Sequence, residues 1–391
     1  MAAIATQPRL NAAQTDVPLA LYVHWPFCVS KCPYCDFNSH VRASVDQQAW
    51  RDALLADLAH EAALLPGRQL ASIFFGGGTP SLMEPATAGA IIEAAQRHWS
   101  TADDLEVTLE ANPNSVEAAR FHELGAAGVN RISLGLQSFD DRALAFLGRA
   151  HGAAEGLAAV AIAQEAVPRV SFDLIYALPG DSEEGWARDL DRALALGTEH
   201  LSLYQLTIEP GTRFATMVAR HEFAPLDTDR SACLFELTQA RTTAAGLPPY
   251  EISNHARRGA ESRHNLSYWR YRDYAGVGPG AHGRRSGMRT VRHRKPENFL
   301  SAVARNGHGL VEEELLLPRE AADEALVMGL RLAEGIDPGA LARRLGVERI
   351  VDDAAVDRLA GHGLLQREGT RLRTTPAGRL LLDSILAEIA A

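Results

Sequence analysis

The sequence predicts an α/β protein, a partial (β/α)6 barrel followed by a winged-helix-like α+β domain. Six short β-rich runs alternate with helical patterns from residue 19 to about 210, and the chain changes character near residues 211 and 313. Its 391 residues exceed the size at which a single core stops growing, roughly 250–300 residues, so a second unit is expected.

The six runs are LALYVHW from Leu19, LASIFFG from Leu70, LEVTLEA from Leu105, VNRISLGLQ from Val129, RVSFDLIYAL from Arg169 and HLSLYQLTI from His200. Their β-branched and aromatic content marks strands. Between them, Gln47 to Leu65, Ala86 to Trp99, Val116 to Ala127, Asp141 to Ala166 and Ser182 to Leu196 carry apolar residues at helical spacing. Strand and helix alternating at these lengths give βαβ units and a parallel sheet. Six repeats fall short of a closed eight-stranded barrel, so a curved open sheet is expected ahead of a flat doubly wound one. In both, ligands bind at the carboxyl ends of the strands.

Four segments follow: an N-terminal extension (1–18), the barrel (19–210), a barrel extension rich in Gly, Arg and aromatics (211–312) and the winged-helix-like domain (313–391). In the last, helical patterns over Pro318 to Leu332, Pro338 to Leu345 and Asp352 to Ala360 precede two strands that turn at Glu368-Gly369. Residues 320–391 carry 9 Lys and Arg against 12 Asp and Glu, so the basic footprint of a DNA reader is missing and no nucleic-acid partner is expected.

A net charge of −10 likewise argues against general attraction to nucleic acid or anionic lipid. The Arg284 to Lys295 run, with Arg285, Arg289, Arg292, His293 and Arg294, is the local exception; it reads equally as a solvated loop or as a contact for propionates or phosphates. No apolar stretch approaches the roughly 18 residues of a membrane span. The N-terminus lacks the apolar segment of a secretory signal, so a cytoplasmic location is expected. Of four cysteines, Cys233 lies in a helical pattern and reads as a buried small apolar residue, and the other three are crowded together.

Those three, Cys28, Cys32 and Cys35, fall on a tight loop directly after the first strand, on the ligand-binding face. Thiolate sulfur selects iron-sulfur clusters, zinc or copper(I). A four-iron cubane needs one ligand per iron, so three cysteines would leave one iron open. A zinc site completed by His24 or His40 is the competing reading. The company of the cysteines bears on the choice. Gly76, Gly77, Gly78 and Thr79 end the second strand, Glu110 the third, Gln137 the fourth and Thr207 the sixth, with Asp173 in the fifth. Polar residues at successive strand ends converge on one pocket.

The C-x3-C-x2-C spacing with Tyr34 before the last cysteine resembles the radical S-adenosylmethionine superfamily. The resemblance implies a [4Fe-4S] cluster on Cys28, Cys32 and Cys35. It also implies S-adenosylmethionine contacts at Tyr22, Tyr34, Gly76, Gly77, Gly78, Thr79, Glu110, Gln137, Arg149, Asp173 and Thr207.

Across Leu21 to about Ala390, with YVHWPFC, FGGGTPS, GLQSF, DLIYALPG and YQLTIEPGT, the chain resembles the oxygen-independent coproporphyrinogen III oxidase family. The oxidase pattern has a further cysteine two positions after the third; Phe37 stands there, and only about 18 residues precede the first strand. Both departures favour the family's heme-chaperone (HemW-type) branch. His264-Asn-Leu-Ser-Tyr-Trp matches that branch's H-N-x-x-Y-W motif. This resemblance implies heme contact at His264, Asn265, Tyr268 and Trp269, with His264 the first candidate iron ligand. It further implies delivery of heme to apo-hemoproteins such as respiratory enzymes, a flavodoxin- or ferredoxin-type electron donor, and membrane contact only through partners. It leaves open a homodimer and, as the competing activity, radical oxidative decarboxylation of coproporphyrinogen III.

Overall fold

The computed structural model describes residues 18–391; apart from Pro18, the expected N-terminal extension lies outside the described residues. Six strands form the frame: β1 (Leu19–Trp25), β2 (Gln69–Gly77), β3 (Ser100–Ala111), β4 (Arg131–Gln137), β5 (Arg169–Tyr176) and β6 (His200–Gln205). They pair in parallel in sequence order, as the alternation of runs and helices requires. Beyond β6 lies an antiparallel β7 (Asn254–Ala256). Beyond β1 lie a parallel β8 (Tyr274–Val277) and the antiparallel β9 (His282–Arg285), β10 (Met288–Arg292) and β11 (Leu310–Leu315). The whole is one 11-stranded sheet with β11 and β7 at its edges.

The sheet curves, and its inner face is polar. On β3 the two-residue period puts Val107 and Leu109 in the hydrophobic core and Glu106, Thr108 and Glu110 on the opposite side. Arg169 on β5 reaches across β4 to Glu106 at 2.7 Å, so the polar face is tied together over three strands. Arg131 donates to Thr108 Oγ1 at 3.3 Å and Ser171 Oγ at 2.9 Å, so these buried polar groups satisfy one another.

The outer face is covered by α1 (Gln47–Leu64), α2 (Pro85–His98), α3 (Phe121–Ala126), α4 (Ala153–Ala166) and α5 (Glu183–Ala195). Asp46 and Ser182 cap α1 and α5 by accepting N–H groups three residues on. The single helix expected over Asp141 to Ala166 is two: Asp141–Phe146 precedes α4, and the break is at Gly148, φ +67°. A Cβ at Gly148 would lie 2.6 Å from Pro33 Cδ, so the turn that presents Arg149 can pack on the cysteine loop only with glycine there.

The extension contains α6 (Thr228–Ala244), α7 (Arg263–Trp269) and α8 (Pro296–Asn306). Cys233 on α6 is exposed rather than buried, because Leu234, Phe235 and Thr238 take the inward face. Nor is the Arg284 to Lys295 run a solvated loop. Arg292, fully buried on β10, is held by Asp57 (3.0 Å) and Glu61 (2.7 Å), and Arg285 bonds Glu61 (3.0 Å) and Glu313. Arg284 lies 3.6 Å from the centroid of the Tyr271 ring. Asp57 and Glu61 are four residues apart on α1, so one helical face offers both carboxylates.

The C-terminal domain builds its own core from α9 (Pro318–Gly329), α10 (Pro338–Leu345), α11 (Asp353–Gly361), the hairpin β12 (Leu365–Glu368) and β13 (Arg371–Thr374), and α12 (Leu382–Ile389). The hairpin turns where expected, with Gly369 at φ +60°. The domain is tied to the extension by Ala333 N–H on Tyr250 O (2.9 Å) and Arg270 on Glu334 (2.9 Å). Among the described residues no helix is long and apolar enough to cross a membrane.

Candidate functional site

The cysteine loop leaves the end of β1 and lies over the carboxyl ends of the strands. Its exit is fixed by His40 N–H on Pro26 O (2.7 Å) and by His24 Nε2 bonded to Asn38 O (2.9 Å). Asn38 Nδ2 donates to Pro279 O (2.9 Å) and Arg294 O (3.0 Å), which binds the loop to the extension. The loop's middle is held by Phe214 N–H on Pro33 O at 2.9 Å.

Cys28, Cys32 and Cys35 line one cavity together with Tyr34, Gly77, Gly78, Thr79, Glu110, Gln137, Arg149 and Asp173. Thr79 Oγ1 donates to Cys28 Sγ at 3.5 Å and Arg149 Nη1 to Cys32 Sγ at 3.4 Å. Hydroxyl and guanidinium donors favour sulfur in the thiolate form that ligates metal. Burial pushes the unloaded Cys28 and Cys35 thiols above their ordinary pKa, so metal loading must release protons. Among the described residues no three His, Cys, Asp or Glu side chains gather closely enough to hold a single metal ion. His24 and His40, the candidate fourth zinc ligands, are bonded to Tyr22 and Asn38. Three sulfurs spaced around a cavity suit a cluster with one ligand per iron.

Two carboxylates close the cavity floor. Burial, with Asp173 adding repulsion, pushes Glu110 up to about 8, against the Gly77 N–H that it accepts at 3.2 Å. Burial pushes Asp173 up to about 6. A carboxyl so raised stays protonated in the fold after the unfolded chain has ionised. Its stabilising contribution is therefore complete below the unfolded pKa near 4.5 and lost as pH rises toward 8. A cationic ligand reverses the preference by favouring ionised Glu110. On the Glu110 contact that the superfamily resemblance implies, affinity of the reconstituted protein for S-adenosylmethionine is expected to rise as pH rises toward 8 and then level off. Glu110→Gln should weaken binding by about 1.5–3 kcal/mol and flatten that rise in anaerobic calorimetry.

The remaining expected residues distribute unevenly. Tyr22 Oη bonds His24 Nδ1 (2.9 Å) and its ring lines an adjoining cavity shared with Glu110 and Tyr268. The glycines serve packing of the chain on itself: a Cβ would lie 2.9 Å from the Tyr22 ring at Gly76, 2.5 Å from His24 at Gly77 (φ +116°), and 2.7 Å from Phe27 O at Gly78. Thr207 faces a wider cleft beside the cavity.

The His264 segment is the helix α7, laid on β1 and β2. Ser262 caps it, and Glu106 accepts the N–H groups of Arg263 and His264, both at 3.2 Å. His264 is 1% exposed, with Nδ1 bonded to Ser72 Oγ (3.0 Å) and Nε2 to Tyr268 Oη (2.9 Å). Burial lowers its pKa to about 3, so the ring is neutral. Tyr268 stands edge-on to Tyr274, Asn265 reaches Tyr250 Oη at 3.5 Å, and Trp269 faces the C-terminal domain under Arg331. The four side chains do not share one cavity.

Sequence reasoning missed Asn112, whose amide joins Thr79 Oγ1 (3.1 Å) to Arg149 (2.6 Å). Two residues past Glu110, it was within reach of the alternation argument. Gly135 was missed as well; a Cβ there would meet Gln137 Nε2 at 2.9 Å and Arg149 Nη2 at 3.3 Å.

Residues 22–193 match the family model of the Radical SAM superfamily, and residues 316–381 that of the HemN C-terminal domain. The chain is 38% identical to the heme chaperone HemW of Escherichia coli over 94% of this chain and 97% of that protein. It is 38% identical to HemW of Mycobacterium tuberculosis, over 94% of each chain. It is 40% identical to the mitochondrial radical S-adenosyl methionine domain-containing protein 1 of Bos taurus, over 95% of this chain and 87% of the relative. The solved coproporphyrinogen III oxidase HemN of Escherichia coli superposes with a TM-score of 0.78 at 23% identity, over 95% and 89% of the two chains, a likeness of fold.

Proposed function

The chain belongs to the HemW family of radical S-adenosylmethionine proteins, and on that premise we propose that it carries heme on a scaffold holding a [4Fe-4S] cluster and S-adenosylmethionine, and passes the heme to acceptor hemoproteins. The observation that carries the reading is the cavity ringed by Cys28, Cys32 and Cys35, with Phe37, 58% exposed, where the oxidase pattern has a further cysteine.

Cys28, Cys32 and Cys35 would hold three irons and leave the fourth open to S-adenosylmethionine, and the chemistry such a cluster would supply is one-electron transfer. Arg149 orients the Cys32 sulfur and the Tyr34 hydroxyl, while Glu110 and Asp173 meet positive charge on the ligand. We assign the chain to the cytoplasm, whose reducing poise would keep its cysteines as thiols.

A direct His264–iron bond would displace Ser72 from Nδ1 or Tyr268 from Nε2 and uncover a buried ring, so heme contact there has a structural cost. Cargo and catalyst separate in one experiment. Anaerobically reconstituted protein is expected to bind heme stoichiometrically by Soret titration and to leave coproporphyrinogen III unchanged when given S-adenosylmethionine and a reductant. Formation of protoporphyrinogen would overturn the proposal in favour of the oxidase.

A further inference from the structure

A cleft of about 790 Å³ opens between the carboxyl ends of β5 and β6 and the start of α12, continuous with the cluster cavity through Tyr34, Phe37, Gln137 and Asp173. Its volume is within the range of sites that enclose a large organic cofactor. Ile175, Leu203 and Phe235 line the barrel side. Leu380 and Leu381 face them from the C-terminal domain, 38% and 48% exposed, an uncovered apolar pair at a cavity mouth.

Two cations lie in the same wall. Arg331 stands 4.7 Å over the Trp269 ring and reaches Glu251 Oε2 only at 3.4 Å. The other oxygen of Glu251 already accepts Ser253 N–H (2.8 Å), Asn254 N–H (2.6 Å) and Asn254 Nδ2 (2.7 Å). Arg379 makes no hydrogen bond or ion pair among the described residues; burial lowers its pKa, against the more distant charge of the same Glu251. The Nε atoms of both guanidiniums are buried without a partner. Arg331 is part-exposed and its ion pair with Glu251 is long, whereas Arg379 is a largely buried cation without an ion pair among the described residues, a costly state for which an added anion is the natural complement. The cleft also carries carboxylates: Glu110 and Asp173 line the cluster cavity as well, Asp36 is on the cysteine loop, Glu209 follows β6, and Asp383 is on α12.

An occupant with broad apolar faces and two carboxylates matches this lining. We propose that the cleft is the heme seat, with Arg331 and Arg379 receiving the two propionates and Leu380 and Leu381 covering a face of the macrocycle. The inference rests on the heme-carrying reading and adds the site. It also gives α7 a function compatible with its burial: Trp269 positions Arg331 by cation–π contact, so the H-N-x-x-Y-W segment acts on the cargo through a guanidinium rather than through an imidazole–iron bond.

The test uses full-length reconstituted protein titrated with heme and, separately, with heme dimethyl ester, whose propionates carry no charge. Wild-type protein is expected to prefer free heme by at least about tenfold. Arg379→Gln and Arg331→Gln should each weaken heme binding by about that factor and reduce the preference, Arg379→Lys should restore part of it, and Leu381→Asp should weaken both ligands. Iron and sulfide content should stay at the wild-type level in every variant. Equal wild-type affinity for heme and its ester, or wild-type heme binding in both glutamine variants, would overturn the seat while leaving heme carriage standing. No heme binding by wild-type protein would overturn both.

Discussion

Cys28→Ala protein, reconstituted without oxygen, is expected to contain almost no iron or sulfide, the two falling together. With three thiolates for four irons, removing one leaves two irons of the cubane without protein ligands, and the neighbouring carboxylates, Glu110 and Asp173, are hard oxygen donors poorly suited to replace a thiolate on iron. Cys233→Ala supplies the control. Its thiol is exposed on α6 and lines none of the cavities described above, so iron and sulfide should match wild type. Loss of iron without loss of sulfide, or full metal content in Cys28→Ala, would remove the basis for a three-cysteine cluster. Zinc as the bound metal would do the same.

Asp57→Ala is expected to cost about 3–5 kcal/mol of stability, seen as a large drop in the urea unfolding midpoint. Asp57 Oδ2 accepts from Arg292 Nε and Gly278 N–H, both at 3.0 Å, and Oδ1 accepts Gly309 N–H at 3.0 Å. Truncation leaves a fully buried guanidinium with Glu61 alone, which also serves Arg285, and leaves two buried N–H groups unpaired. Adding Arg292→Met should recover part of the loss, since removing both charges is cheaper than stranding one. A midpoint change worth less than about 1 kcal/mol would mean that water or a rearranged Glu61 replaces the carboxylate.

Much of this architecture was legible because it follows from periods. The six strands declared themselves as apolar runs, and the wing turned at a glycine that adopts positive φ. The loop cysteines and the polar strand ends could be placed together from topology alone, because parallel strands deliver all their carboxyl ends to one side. What failed was any inference from local composition about distant partners. The arginines of β9 and β10 looked free because Asp57 and Glu61 precede them by more than 200 positions. Cys233 looked buried because helical period alone does not say which of two adjacent positions faces inward. The His264 segment carried a motif but no sign of its setting: its burial is decided by Ser72 and Glu106, on strands far upstream.

The rim strand β11 reads LVEEEL, and Val311 to Leu315 along it are exposed. An unprotected margin on so broad a sheet would invite another chain to zip alongside it. Glu313 and Glu314 are engaged by Arg285 and Arg289, whereas Glu312 makes no ion pair among the described residues. A twin rim arriving edge to edge would bring carboxylate against carboxylate, so growth of the sheet into fibres or paired ribbons is opposed at its outermost strand.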